Sequence, residues 1–155
     1  MLMHESGEMP AREYVIFEQD VKMIEYRTNL DGILPDNLKG FFVGWRNPLS
    51  CSQLHTLLRS SSHFVLAYDT ETHRVVGLVN ALSDGINFAF VPMLEVLPDY
   101  QRRGIGSELM RRILRLLNHI SCIDLTCDPS VQGFYRRFGM VESHGMVIRN
   151  HLKVT

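Results

Sequence analysis

The chain has 155 residues and a formal net charge of −1 at pH 7, and hydrophobic residues make up 45% of it. This length suits one domain, and the apolar content is enough for a core that needs no disulfide or metal. The balanced charge argues against a nucleic-acid-binding or membrane-binding surface spread over the whole chain. The three cysteines form neither a C-x-x-C pair nor a zinc-finger spacing, so we expect reduced thiols in a cytoplasmic protein.

The first third of the chain carries the weakest structural pattern. Residues 1–12 lack the basic region and long apolar run of a signal peptide, and no later apolar run is long enough to cross a bilayer. We expect a loose tail followed by a single domain over residues 13–155. Residues 14–17 and 23–27 are predicted to be short strands that pair at a sheet edge. Residues 35–45 are weakly helical, and Ser50 is predicted to cap a helix that ends at the serines near position 61.

The centre of the chain has the clearest pattern. The stretches HFVLAYD, RVVGLVNALSD and FAFVPMLEVLP are rich in β-branched and aromatic residues, and the turn-forming sequences TETH and DGIN separate them. They predict an antiparallel meander. From Ser107 the apolar residues follow helical spacing and arginines occupy the opposite side, so we expect an amphipathic helix that packs against the sheet.

The last third of the chain predicts a crossover and a second helix. CIDLTCD is a predicted strand, and the preceding helix allows it to lie parallel to the strand that ends at Leu97. Pro129 suits the first turn of a helix that Gly139 ends, and MVESHGMVIRN is a predicted hairpin. Its edge strand could pair across a homodimer, with a monomer as the alternative. Together these elements predict a mixed α/β fold, in which helices flank both faces of a twisted sheet with antiparallel and parallel strands.

The stretch DYQRRGIGSEL joins the predicted meander to the amphipathic helix. A helix N-terminus has backbone N–H groups without partners and the positive end of the helix dipole, so it attracts phosphate oxygens. Gly104 and Gly106 allow close approach there, and Arg102 and Arg103 add positive charge. The sequence lacks the Lys-Ser or Lys-Thr of a Walker loop and the third glycine of a dinucleotide-binding loop. We predict a diphosphate site, with a tight turn bearing exposed arginines as the alternative.

This region also carries a family resemblance. LEVLPDYQRRGIGSEL resembles the acetyl-CoA-binding motif V-x-P-x-x-Q/R-x-x-G-x-G/A of the GNAT superfamily of N-acetyltransferases. The motif is met by Val96, Pro98, Gln101, Gly104 and Gly106. A second block, DLTCDPSVQGFYRRFGM, resembles the family's later strand and short tyrosine-bearing helix, and the resemblance covers residues 23–149. It implies a GNAT fold and transfer of an acetyl group from acetyl-CoA to an amine, without a metal.

The resemblance implies roles for individual residues. The strand before the loop splays from its neighbour in GNAT proteins, and its backbone pairs with the pantetheine arm, which maps to Leu94, Glu95 and Val96. A backbone N–H near Val96 would polarise the thioester carbonyl. The loop that holds the pyrophosphate maps to the motif's Gln101 and to Arg102, Arg103, Gly104, Ile105, Gly106 and Ser107. The tyrosine near the CoA sulfur is Tyr135, which would reprotonate the leaving thiolate. Many members have an asparagine seven residues before it, whereas this chain has Asp128, expected to cap the next helix.

The base that accepts the proton of the amine has several candidates. Glu95 is the only charged residue between positions 88 and 97, and burial in such an apolar strand would raise its proton affinity. Strand alternation could instead turn Glu95 to solvent or to an arginine of the neighbouring helix. Asp84 could bind the ammonium of the acceptor or simply form the SDG turn. A base that acts through water, or no base, is a further alternative.

The acceptor is expected to lie beside the aromatic residues Phe41, Phe42 and Trp45 and the predicted hairpin after Gly139. This surrounding suits a small amine, and a protein or peptide amino group is the alternative. A non-catalytic acyl-CoA sensor is a second reading, against which Tyr135 argues. A nucleic-acid binder is disfavoured, because the arginines near the glycine loop surround a helix committed to the core and no aromatic platform accompanies them.

Overall fold

The computed structural model describes residues 24–150, which contain a five-stranded sheet in the order β1-β2-β3-β4-β5. The strands are β1 (Ile24–Arg27), β2 (His63–Asp69), β3 (Arg74–Ser83), β4 (Phe88–Val96) and β5 (Cys122–Asp124). Neighbouring strands are antiparallel from β1 to β4, whereas β4 and β5 are parallel. The predicted meander, crossover and mixed α/β class are confirmed. The predicted tail and the strand at residues 14–17 lie outside the described residues.

Helices α1 (Cys51–Ser60), α2 (Ile105–Leu116) and α3 (Gln132–Arg136) accompany the sheet, with 3-10 turns at Pro35–Leu38, Pro98–Tyr100 and Pro129–Val131. α1 begins as predicted, because the Ser50 hydroxyl accepts the Gln53 N–H and the Gln53 side chain accepts the Ser50 N–H. α2 begins two residues earlier than Ser107, after Gly104 at its N-cap. Gly139 turns the chain away after α3 with a φ of 81°, as predicted.

Helices pack on both faces of the sheet. Residues 75–81 of β3 are all buried, so both faces of this central strand are covered. A Cβ on Gly77 would lie 3.0 Å from the Leu109 side chain of α2, so Gly77 faces α2. Asn80 is three residues further and therefore on the opposite face, where its Nδ2 donates to the Ser61 hydroxyl at the end of α1 at 2.9 Å. α1 and α2 thus lie on opposite faces, as predicted.

The weakly helical prediction for residues 35–45 is wrong beyond the 3-10 turn at Pro35–Leu38. The rest of the segment is an irregular loop. Gly40, Phe42 and Gly44 have φ values of 96°, 66° and 77°, in the left-handed region that a right-handed helix cannot include.

The hairpin predicted for residues 140–150 is also wrong, because these residues contain no strand. Val141, Met146 and Ile148 are exposed, and an isolated hairpin without an apolar surface to pack on is marginal in water. The edge strand on which the predicted homodimer contact depended is therefore absent from this segment.

Candidate active site

A cleft opens in the sheet where β4 and β5 separate. Their pairing runs from Phe88 with Cys122 to Phe90 with Asp124 and then ends, whereas β4 continues to Val96. β5 is therefore shorter than the strand predicted over residues 122–128. The cavity between the two segments has a volume of about 510 Å³. It is lined by Pro92, Met93, Leu94, Glu95 and Val96 on one side and by Thr126, Cys127, Asp128, Val131 and Tyr135 on the other.

A second cavity, of about 380 Å³, lies at the N-terminus of α2. Val96 and Gln101 line both cavities, so the two adjoin, and together they are called the cleft. The predicted residues Gly104, Ile105, Gly106 and Ser107 line the smaller cavity. The first N–H of α2 that bonds back along the helix is that of Glu108, which donates to the Gly104 carbonyl at 3.0 Å. The N–H groups of residues 105–107 precede it and have no partner within the helix, so they are available to an anion.

The two loop glycines differ in what they provide. Gly104 has a φ of 79°, which strains any other residue, and the space beyond its Cβ position is open. A side chain at position 104 would therefore project from the start of α2. A Cβ on Gly106 would lie 3.7 Å from Val96 and 3.9 Å from Phe134, which is ordinary contact. A larger side chain at position 106 would occupy the space between β4 and α3.

Positive charge reaches the smaller cavity from two elements. Arg102 lines the cavity from the glycine loop. Arg137, at the end of α3, lines it from the other side, and its guanidinium lies 4.9 Å from the centre of the Phe134 ring. Neither Arg137 nor Phe134 was predicted from the sequence to be a site residue. Their spacing of three residues, which places two side chains on the same side of a helix, was the available sign.

Two predicted loop residues support the loop itself. The Gln101 side-chain amide donates to the Val96 carbonyl at 3.0 Å. Arg103 lies over the Tyr100 ring, 5.3 Å from its centre, and does not line either cavity. Tyr100 in turn donates its hydroxyl proton to the buried Asp69 carboxylate at 2.6 Å. The turn before the glycine loop is thereby tied to the end of β2.

The Glu95 carboxylate lies in the larger cavity and accepts backbone N–H groups from the loop of residues 40–45. Its Oε1 and Oε2 lie 2.8 and 3.1 Å from the Phe42 nitrogen, and Oε1 lies 3.4 Å from the Val43 nitrogen. Burial raises the pKa of Glu95 above its ordinary value, although both N–H groups act in the opposite direction. Glu95 is half-buried and bound to backbone, so the predicted alternative of solvent or an arginine is wrong.

Tyr135 lines the larger cavity opposite β4, together with Cys127. Burial and, to a smaller extent, the electrostatic interaction with Cys127 raise the pKa of Tyr135, so its hydroxyl keeps its proton at neutral pH. The ring packs edge-on against Phe134 at 5.0 Å between centres. The fold therefore brings Glu95 and Tyr135 to one cavity, at the end of the cleft away from the glycine loop.

The sequence profile of the Acetyltransferase (GNAT) family matches residues 30–140, which include every residue that lines this cleft. The chain belongs to the GNAT family. A solved structure of a Deinococcus radiodurans protein is 43% identical to this GNAT chain, with a TM-score of 0.80 over 83% of this chain and 89% of that one. The separated strands β4 and β5 thus belong to a GNAT fold.

Two named relatives of this GNAT chain are longer than it. The uncharacterized N-acetyltransferase ycf52 of Porphyra purpurea is 30% identical over 105 residues, which cover 64% of this chain and 59% of that protein. The histone acetyltransferase TAP1 of Glycine max is 32% identical over 111 residues, which cover 63% of this chain and 46% of that protein. The chain therefore spans about half of the length of these two relatives.

The GNAT structure also places the two aspartates that the sequence analysis considered. Asp84 Oδ1 accepts the N–H groups of Ile86, Asn87 and Phe88 at 2.8 to 3.0 Å and does not line the cleft, so Asp84 forms the turn. Asp128 occupies the N-cap position of the Pro129–Val131 turn, but its side chain makes no capping hydrogen bond. The prediction that the Asp128 side chain caps the helix is therefore wrong. This side chain lines the larger cavity instead.

The aromatic residues expected beside the acceptor divide into two groups. Phe41 and Phe42 are buried in the core, whereas Trp45 is 54% exposed and lines the larger cavity beside Val43.

Residues 24–150 contain no helix long and apolar enough to cross a bilayer. Among these same residues, no group of three or more histidine, cysteine, aspartate or glutamate side chains is arranged to hold a metal ion.

Proposed function

We propose that this GNAT chain transfers an acetyl group from acetyl-CoA to a small primary amine, which attacks directly while both substrates are bound. The adjoining position of the two cavities carries the proposal. Unpaired N–H groups and two arginines lie at one end, and Glu95 and Tyr135 line the other. Holding two reactants side by side in this way supplies a large part of the rate enhancement.

The free thiols of Cys51, Cys122 and Cys127 further support a reducing compartment such as the cytoplasm.

The smaller cavity has the chemistry that a pyrophosphate requires. Backbone N–H groups at the start of α2 point out of the helix, and Arg102 and Arg137 flank them. Neither aspartate nor glutamate lines this cavity. In the proposal these groups hold the pyrophosphate of acetyl-CoA. The backbone of residues 94–96, which β5 leaves unpaired, binds the pantetheine arm.

The larger cavity supplies the proton transfers. Acetyl-CoA brings a reactive thioester, and the amine must lose a proton as it attacks. Glu95 accepts this proton directly or through water, because its raised pKa increases its proton affinity and its oxygens retain lone pairs beyond the N–H bonds. Tyr135 keeps its proton at neutral pH and donates it to the departing sulfur.

The binding half of the proposal is tested by calorimetric titration of acetyl-CoA into the wild type, Gly104→Glu and Gly104→Ala. We expect Gly104→Glu to weaken binding by about a hundredfold or more, because it adds a carboxylate where the pyrophosphate sits. Gly104→Ala strains the same backbone without adding charge, so its loss should be clearly smaller. Absence of wild-type binding, or equal losses in the two variants, would contradict a phosphate site at this glycine.

The chemical half is tested by turnover on a panel of small amines and lysine-containing peptides, the latter because one relative is named a histone acetyltransferase. We expect Tyr135→Phe to lower kcat by about a hundredfold while acetyl-CoA binding is unchanged. Binding of acetyl-CoA without turnover on any acceptor would instead support the acyl-CoA sensor.

A further inference from the structure

The two ends of the cleft carry opposite charges. Arg102 and Arg137 line the smaller cavity, without an acidic residue. Glu95 and Asp128 line the larger cavity, without a lysine, arginine or histidine. The first end therefore favours an anionic ligand, and the second favours a cationic one and disfavours a carboxylate. The distribution restricts the charge of whatever molecule shares the cleft with acetyl-CoA.

The loop of residues 40–45 forms one wall of the acidic end and is held in an unusual conformation. Phe42 has a φ of 66°, a costly value for an aromatic residue, and its side chain is buried. Its N–H is bound by the Glu95 carboxylate, and its ring packs edge-on against Trp45 with 5.1 Å between centres. Glu95 thus binds the backbone of the residue whose ring supports Trp45.

Trp45 itself presents a large aromatic surface to the cavity. It is 54% exposed and lies beside Val43, so much of its surface remains uncovered. An indole attracts cations to its face and apolar groups to its whole area. An indole in the same cavity as two carboxylates therefore matches an ammonium ion carried on an apolar body, above all an aromatic one whose ring can pack on the indole.

We propose that Trp45 determines acceptor specificity, and that the acceptor is a primary amine on an aromatic body without a negative charge. The amine lies next to Glu95 and the body lies against Trp45. This inference rests on the proposed acetyl transfer. In that reaction the amide C–N bond forms as the C–S bond breaks, Glu95 takes the ammonium proton and Tyr135 gives a proton to sulfur. Exchange with solvent then restores both residues.

Three acceptors test the inference: 2-phenylethylamine, phenylalanine, which adds only a carboxylate, and ethylamine, which lacks the ring. We expect kcat/KM for 2-phenylethylamine to exceed that for either of the others by about tenfold or more. Trp45→Ala should lower kcat/KM for 2-phenylethylamine by about tenfold, mainly through KM, and should lower kcat/KM for ethylamine by a clearly smaller factor. Trp45→Phe should retain most of the preference, and both variants should bind acetyl-CoA as the wild type does.

Each contrary outcome contradicts a specific part of the inference. Equal turnover of phenylalanine and 2-phenylethylamine overturns selection by charge. An equal loss for ethylamine in Trp45→Ala overturns the specificity role of Trp45. A lysine-containing peptide that exceeds all the small amines overturns the aromatic amine in favour of a protein acceptor. Absence of turnover with every acceptor contradicts acetyl transfer itself and this inference with it, so the two failures are distinguishable.

Discussion

The start of α2 and the loop of residues 40–45 lie at opposite ends of one cleft and depend on different interactions. At the start of α2 the binding groups are main-chain N–H groups, whose direction follows from a glycine turn and the helix it begins. The loop of residues 40–45 takes its shape from Glu95, 53 positions further along the chain, and from the burial of Phe42. A binding site made by local backbone geometry is visible in a sequence, whereas one made by a distant contact is not.

Among the substitutions that test this difference between the two ends, those of Glu95 should have the largest effect on activity, because Glu95 serves both the loop and the proposed chemistry. Glu95→Gln and Glu95→Ala should each lower kcat/KM by about 10² to 10³-fold, because both remove the base. In the wild type the base acts when ionised, so kcat/KM should fall as the pH drops through a pKa above the ordinary glutamate value. Both variants should lack this acidic limb in the pH profile of kcat/KM.

The two Glu95 variants differ in what they leave for the loop. Glutamine keeps an oxygen that can accept the Phe42 N–H. The activity that remains in Glu95→Gln should therefore still favour 2-phenylethylamine over ethylamine. Alanine leaves that N–H without its partner, and the preference should shrink because Trp45 is no longer held. Wild-type activity in Glu95→Gln would show that another group or water accepts the proton.

Substitutions of two arginines near the glycine loop should have intermediate effects on acetyl-CoA binding, and the two effects should differ. Arg137→Gln should weaken acetyl-CoA binding by about tenfold, since Arg137 lines the smaller cavity, and the difference should narrow at high salt. Arg103→Gln should change binding by less than about threefold, since Arg103 lies over Tyr100 outside that cavity. Calorimetry at two salt concentrations measures both. The reverse order of effects would mean that Arg103 leaves Tyr100 to reach the phosphates, as the family resemblance implies.

The same contrast explains how much of the fold the sequence could predict. The meander, the Ser50 cap and the amphipathic helix were predictable because alternation, capping chemistry and helical spacing are local. Residues 40–45 were not, because the left-handed φ of Phe42 accompanies a hydrogen bond from its N–H to Glu95, a contact that no local pattern indicates. Residues 140–150 have the composition of a hairpin but expose their apolar side chains, and composition alone does not reveal whether a surface is available to cover them.

The site divides in the same way. The place of the glycine loop beside the smaller cavity was predictable from its position between a strand and a helix, and the presence of Tyr135 in the larger cavity from a motif. Arg137 was not predicted, and Trp45 was named only as one of several aromatic residues. The contribution of both depends on which side chains meet across the separated strands, and a sequence does not show this. Asp128 was assigned to a cap from its place before Pro129, although its side chain lines the cavity.

The smallest effect concerns the support of the glycine loop by Tyr100. Tyr100→Phe should lower the free energy of unfolding by about 1 to 2 kcal/mol at neutral pH, because it removes a hydrogen bond to a buried carboxylate. Burial raises the pKa of Asp69, but hydrogen bonds from Tyr100 and from the N–H groups of Glu71 and Thr72 outweigh it, so this pKa lies below its ordinary value. Stability from a lowered carboxyl pKa is present above the unfolded-state value and is lost as the pH falls through the folded-state value. The difference between wild type and Tyr100→Phe in urea unfolding should therefore be largest near pH 7 and narrow below about pH 4. A difference that stays constant from pH 7 to pH 3 would mean that Tyr100 stabilises the turn by packing, and the hydrogen bond to Asp69 would then contribute little to holding the loop.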